Sequence, residues 1–236
     1  EVDATHMPVS LELSHALVQL GFDQNVWQLR LPSAILGVAT VLVVFFLGKE
    51  LFCKRIGLFS ALVACVMPVL VIYSQEYRPY SLLIFLTVLS GWSLAAALRT
   101  NGPVWWCLFV GATILNLYTH FVALSALAAL FVAALACTLF RLQQREPIKP
   151  IVASSVLAFG VIVAAYLPAV PRLDRMLQVN TKWEGVGPGW DVFSYVYVQS
   201  PGFGEWLNLV AAALAVLGLL WASVRFTRGF LFLVAV

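Results

Sequence analysis

The residues with chemistry to offer are few, and the densest group is YSQEYRPY at 73–80, where Glu76 and Arg78 stand between two long hydrocarbon runs. A guanidinium beside a carboxylate can be a plain surface pair, or it can bind a phosphate through paired N–H donors. Pro79 bears on that choice. Its ring disfavours helical geometry at Arg78 and supplies no N–H, so the preceding helix is expected to stop near Glu76 or Tyr77. Pro79 is then expected to serve as the first residue of the next helix. That helix would point its N-terminal N–H groups and positive dipole end outward, with Arg78 directly in front. A guanidinium at a helix N-terminus suits an anion such as a phosphate. The plainer alternative makes Tyr73, Tyr77 and Tyr80 an aromatic belt, with Arg78 snorkelling and Glu76 as its local partner.

The histidines are the next candidates. His120, in LYTHF, is open to roles as a metal ligand, a phosphate partner, a proton carrier or a structural hydrogen-bonding residue. His6, in THMP, precedes an amphipathic stretch, whereas His15 falls within that stretch and reads as part of its polar face. A long polar segment carries Trp183, Trp190 and Trp206 beside Glu184, Asp191 and Glu205. Indole faces next to carboxylates suit sugar rings, and interfacial tryptophans equally suit lipid headgroups. No metal motif with diagnostic spacing, nucleotide-binding glycine loop or serine elbow occurs in the chain. An activated substrate is therefore expected to be membrane-borne.

The elements that position these residues are membrane helices. Of the 236 residues, 62% are hydrophobic and 11% charged, with a mean hydropathy of +0.94. A soluble domain carries about 25% charged residues, and about 20 apolar residues suffice to cross a bilayer. The expected fold is an all-α, polytopic transmembrane helix bundle, treated as a single domain over 1–236. An interfacial helix is expected at 8–21, followed by full spans near 31–52, 56–74, 80–98, 104–118, 121–140, 151–168 and 207–224, with a truncated one at 229–236. Pro32 is expected near the start of the first span, and Pro68 is expected to kink or break the second. The polar loop is 171–205. Cys53, Cys65, Cys107 and Cys137 all lie in or beside apolar runs, lack a CxxC pair, and read as small core residues.

Alternating the connections puts nine of the fourteen lysines and arginines on one side: Lys49, Lys54, Arg55, Arg99, Arg141, Arg145, Lys149, Arg225 and Arg228. Only Glu50 and Glu146 of the eleven acidic residues share that side. The positive-inside bias makes it cytoplasmic, so the three histidines, YSQEYRPY and the Trp-rich loop face outward. The net charge of +3 is thus a topology signal, and nucleic acid is not an expected partner. Glu1 is preceded by no initiator Met, and GFLFLVAV opens an apolar run that stops, so the chain reads as an internal fragment.

Three stretches carry a family resemblance: WQLRLPSAILG at 27–37, Pro68 followed by YSQEYRPYSLL at 73–83, and LYTHFVAL at 117–124. Together they resemble the integral-membrane GT-C glycosyltransferases, in the branch of protein O-mannosyltransferases and lipid A aminoarabinose transferases. THMPVSL at 5–11 is similar to the preceding H-P-P-L element, with Met7 in place of its first proline. The resemblance covers about 5–140, and the rest follows by hydropathy alone.

The resemblance implies a polyprenyl-phosphate-linked sugar as donor and a lipid, glycan or protein acceptor, with inversion at the anomeric carbon. It implies a bacterial inner membrane with the active face outward. Arg78 and Tyr80 are implied at the donor phosphate, with Glu76, His6 and His120 in support. Trp183 and Trp190 are candidates for sugar or acceptor contact. Some relatives bind a divalent metal in this region, for which His6 and His120 are the candidates. The family's catalytic carboxylate normally lies well upstream of H-P-P-L, whereas Asp3 is only three residues ahead of His6. The general base is therefore expected before residue 1, with Asp3 a weak candidate. A lipid-linked glycan flippase or an inactive membrane scaffold are the competing readings. A flippase should carry ionisable or helix-breaking residues at mid-membrane, whereas spans such as 31–48 and 121–140 lack charges and the polar sites gather at the outer rim.

Overall fold

The computed structural model describes residues 25–170 except Phe121 and Glu146, together with His15, Ala16, Gln19 and Gly21. Regular elements among them are all helical: α1 Val26–Leu51, α2 Lys54–Val66, α3 Pro68–Gln75, α4 Tyr80–Thr100, α5 Pro103–Thr119, α6 Ala123–Gln143, α7 Lys149–Tyr166 and a closing 3-10 turn Leu167–Ala169. Apolar sequences of this kind form helices because lipid offers backbone groups no partner outside their own helix. α1, α4, α6 and α7 are each long and apolar enough to cross a membrane, and α2 with α3 forms a bent pair. The protein is an integral membrane helix bundle. His15, Ala16 and Gln19 are helical and exposed, while the rest of the expected interfacial helix falls outside the described residues, apart from a turn at Gly21. The expected elements at 171–205, 207–224 and 229–236 lie outside them too.

α1 starts at Val26, ahead of the expected 31, so Pro32 lies inside the helix and not at its entrance. Twenty-six residues rise about 39 Å at 1.5 Å each, more than the roughly 30 Å of hydrocarbon, so the first turns have room to project beyond it. The break at Pro68 is sharp: α2 and α3 meet at 56°. Met67 between them takes an extended ψ of 116°, the geometry a following proline imposes. α5, at 17 residues, rises about 26 Å and is short for a crossing.

α4 is the most enclosed helix, burying Ser81, Leu86, Ser90, Gly91 and the run from Ser93 to Leu98. Small residues on this surface let neighbouring backbones approach, the usual basis of helix association in lipid. Hydrogen bonds add to it on the α5 side: Thr113 Oγ1 lies 3.1 Å from Ser90 Oγ, and the Asn116 amide donates to Thr87 Oγ1 at 2.9 Å. Trp92 stacks on Phe46 of α1 at 5.0 Å and meets Trp105 of α5 edge-on at 5.1 Å. α4 ends at Asn101, whose φ of +50° lets its N–H cap the Ala97 carbonyl.

The cysteines correct the sequence reading. Cys65 and Cys107 are exposed, Cys53 and Cys137 half-buried, and all four are free of disulfides. A bilayer removes the need to bury a thiol in protein, because lipid tails are apolar enough to hold it.

Candidate functional site

Two contacts establish which helix ends lie together. At one end the Arg99 guanidinium of α4 pairs with Glu50 of α1, its Nη2 lying 3.3 Å from Oε2. Lys49, Lys54 and Arg55 flank that end in sequence. At the other end Tyr80, the first residue of α4, meets His120, the C-cap of α5, at a ring-centroid separation of 5.7 Å. Tyr118 donates to the Ala165 carbonyl at 2.7 Å and brings the C-terminal end of α7 to the same place.

The corner between α3 and α4 is built by its proline. α3 ends at Gln75, and Glu76 is its extended C-cap at ψ 143°. Pro79 is the N-cap of α4 and not its first residue, a one-position departure from expectation. Its carbonyl accepts the Leu83 N–H at 2.9 Å, so the early N–H groups of α4 are the ones left to face outward. Arg78 stands immediately before this cap. Its Nε lies 3.6 Å from Glu76 Oε2, with the side chains 64% and 43% exposed. A pair this open contributes at most about 1 kcal/mol, so an incoming anion can displace Glu76 at little cost.

The corner is tied to its surroundings from both sides. The Ser81 hydroxyl donates to the Tyr73 carbonyl at 2.5 Å, locking the first turn of α4 onto the last turn of α3. The Tyr73 and Tyr80 rings stand 4.8 Å apart, so the Tyr80 ring meets both Tyr73 and His120. His120 is buried at 6% exposure. Its Nδ1 accepts the Val122 N–H at 3.2 Å, which leaves Nε2 to carry the hydrogen of a neutral ring. The polar break in LYTHF thus caps one helix and opens the next.

The structure brings Glu76, Arg78, Tyr80 and His120 to one end of the bundle. Asp3, His6, Trp183 and Trp190 lie outside the described residues. No three His, Cys, Asp or Glu side chains converge among the described residues. Of the proposed metal ligands only His120 is described, with Glu76 the nearest carboxylate in the corner, and no step is derived through a metal. Sequence reading missed Ser81, whose only signal is a serine in the first turn of an apolar helix. It also missed Asn116, one turn before His120 and almost fully buried.

The comparisons with known proteins bear on the same region. A curated relative, "Putative mannosyltransferase YkcB" of Bacillus subtilis (strain 168), is 28% identical over 104 residues, covering 44% of this chain and 14% of that protein. The chain therefore matches only a small part of that relative's length. No solved structure matches the chain. The family profile described as dolichyl-phosphate-mannose-protein mannosyltransferase matches residues 6–168, a stretch that contains the corner, the LYTHF break and every described helix up to α7. On that match, the chain belongs to the dolichyl-phosphate-mannose-protein mannosyltransferase family of membrane glycosyltransferases.

Proposed function

We propose that this protein forms the donor-phosphate side of a glycosyltransferase that uses a polyprenyl-phosphate-linked sugar. The observation that carries the reading is Arg78, exposed and loosely paired, directly in front of the N-cap of α4. An acceptor hydroxyl or amine attacks the anomeric carbon, the bond from that carbon to the phosphate oxygen breaks, and the configuration inverts. The polyprenyl phosphate departs carrying the negative charge. Arg78, the Tyr80 hydroxyl and the N-terminal dipole of α4 stabilise that charge as it develops. Glu76 orients Arg78 until the phosphate arrives, and His120 packs against Tyr80. A general base takes the acceptor proton; we assign it to a carboxylate outside the described residues.

The reaction is assigned to the extracytoplasmic face of a bacterial inner membrane. Lys49, Lys54, Arg55, Arg99, Arg141, Arg145 and Lys149 belong to the connections at the opposite end, as the positive-inside bias requires of a cytoplasmic face. A flippase is less well supported, because no Asp, Glu, Lys or Arg is buried within the bundle among the described residues.

The test is an assay of the full-length protein with polyprenyl-phosphate sugars, comparing Arg78→Ala and Arg78→Lys with wild type. Arg78→Ala is expected to lower kcat/KM for the donor by about 10²–10³-fold, the scale of losing one preorganised charge-stabilising group. Arg78→Lys should recover part of it, since an ammonium keeps the charge without the bidentate fork. Full activity in Arg78→Ala rules out the phosphate role.

A further inference from the structure

The segment WQLRLPSAILG ends in Gly37, a glycine in the interior of a long helix. Gly37 lies on α1 against Ser74, in the last turn of α3. A Cβ placed on Gly37 would stand 2.7 Å from Ser74 Cβ and 3.8 Å from Ser74 Cα. Ordinary carbon contacts need about 3.5–4.0 Å, so a single methyl forces the two helices apart by about 1 Å. Ser74 Cβ is fixed to its backbone, and no rotamer change relieves the contact.

The fold determines which helix yields. α1 is held at its far end by a second close crossing, where a Cβ on Gly48 would lie 2.9 Å from Gly57 Cα of α2. The Glu50–Arg99 ion pair fastens the same end to α4. α3 has eight residues, and none of them is buried. The short, exposed helix gives way before the long, pinned one. Ser74 precedes Glu76 by two residues and Arg78 by four, and the neighbouring Tyr73 carbonyl is bonded to Ser81 at the start of α4. A displacement at Ser74 therefore passes into the corner.

We infer that Gly37 is a positioning residue: its missing side chain sets where α3 ends and so where Arg78 is presented to the donor phosphate. This rests on the phosphate role proposed for Arg78. A misplacement of about 1 Å at a reacting group can cost about 10²-fold in rate.

The experiment measures KM for donor and acceptor and kcat in the full-length enzyme, for Gly37→Ala, Ser74→Gly, the double variant Gly37→Ala/Ser74→Gly, and Arg78→Ala. Gly37→Ala is expected to lower kcat/KM for the donor by about 10-fold or more and leave the acceptor KM unchanged. Ser74→Gly removes the opposing Cβ, leaving Ser74's Cα position 3.8 Å from the new methyl, so the double variant should return to within roughly threefold of wild type. Gly160→Ala, with nothing within 4 Å of the added carbon, is the neutral control. Ser74→Val crowds the same contact from the other helix and should lower kcat/KM for the donor even if Gly37→Ala folds poorly. Unchanged donor kcat/KM in Gly37→Ala and Ser74→Val, or no recovery in the double variant, overturns the positioning role while an impaired Arg78→Ala keeps the phosphate reading. Unchanged donor kcat/KM in Arg78→Ala overturns both.

Discussion

The Tyr80 and His120 rings lie 5.7 Å apart, although forty residues separate them in the chain. That contact joins the start of α4 to the end of α5 and places a phenol and an imidazole beside the Glu76–Arg78 corner. Tyr73 also meets Tyr80, at 4.8 Å, so the phenol ring has two aromatic neighbours.

These two ring contacts separate two roles for Tyr80. Tyr80→Phe retains both ring contacts and loses only the hydroxyl. Hydrogen bonds to charged groups contribute about 1.5–3 kcal/mol, so kcat/KM for the donor should fall by about 10-fold or more. Tyr80→Ala should fall further, since each aromatic pair adds about 0.5–1.5 kcal/mol. Steady-state kinetics with wild-type values for Tyr80→Phe would limit Tyr80 to packing.

The Glu50–Arg99 pair makes the contrasting prediction. The Glu50 side chain is 15% exposed and that of Arg99 64%, so removing the arginine leaves a half-buried carboxylate without this partner. Arg99→Ala should lower thermal stability in detergent by about 1 kcal/mol, the scale of a partly exposed ion pair. Glu50→Gln/Arg99→Ala should regain much of it. Donor KM should stay at the wild-type value throughout, because this pair lies at the end remote from Arg78. A selective rise in donor KM would contradict that placement.

Asn116 and Thr87 offer a test of how α5 is held. The Asn116 amide donates to Thr87 Oγ1 at 2.9 Å, while its own carbonyl oxygen Oδ1 is buried without a hydrogen-bond partner. A double-mutant cycle of Asn116→Ala and Thr87→Val should give a coupling near 0.6 kcal/mol and below about 1.7, the range found for hydrogen bonds between membrane helices. Zero coupling in unfolding measurements would mean that side-chain packing alone holds this face.

Much of the corner is legible in the amino-acid sequence. Pro68 and Pro79 act on the residues next to them, so the bend near 68, the end of α3 beside Glu76 and the exposed start of α4 follow from steric rules that work within two residues. The end of a helix at LYTHF is also readable, because polar residues interrupt an apolar run there. Pro32 misleads, since a proline that suits a helix entrance is also tolerated inside a membrane helix. The cysteines mislead for a related reason, because lipid accepts an outward-facing thiol.

What the sequence by itself determined, among the described residues, is the helices between 25 and 170, their breaks, and the local pairing of Glu76 with Arg78. The tertiary structure decided which helices meet: Gly37 against Ser74, Gly48 against Gly57, Tyr80 against His120 and Glu50 against Arg99. The physical reason lies in the solvent. In water a helix advertises its buried face by an apolar stripe, whereas in lipid α1 is apolar on nearly every side and its inward face differs mainly in being small. Small residues allow close approach without naming a partner, so the contacts that aim Arg78 emerge only when the helices are packed together.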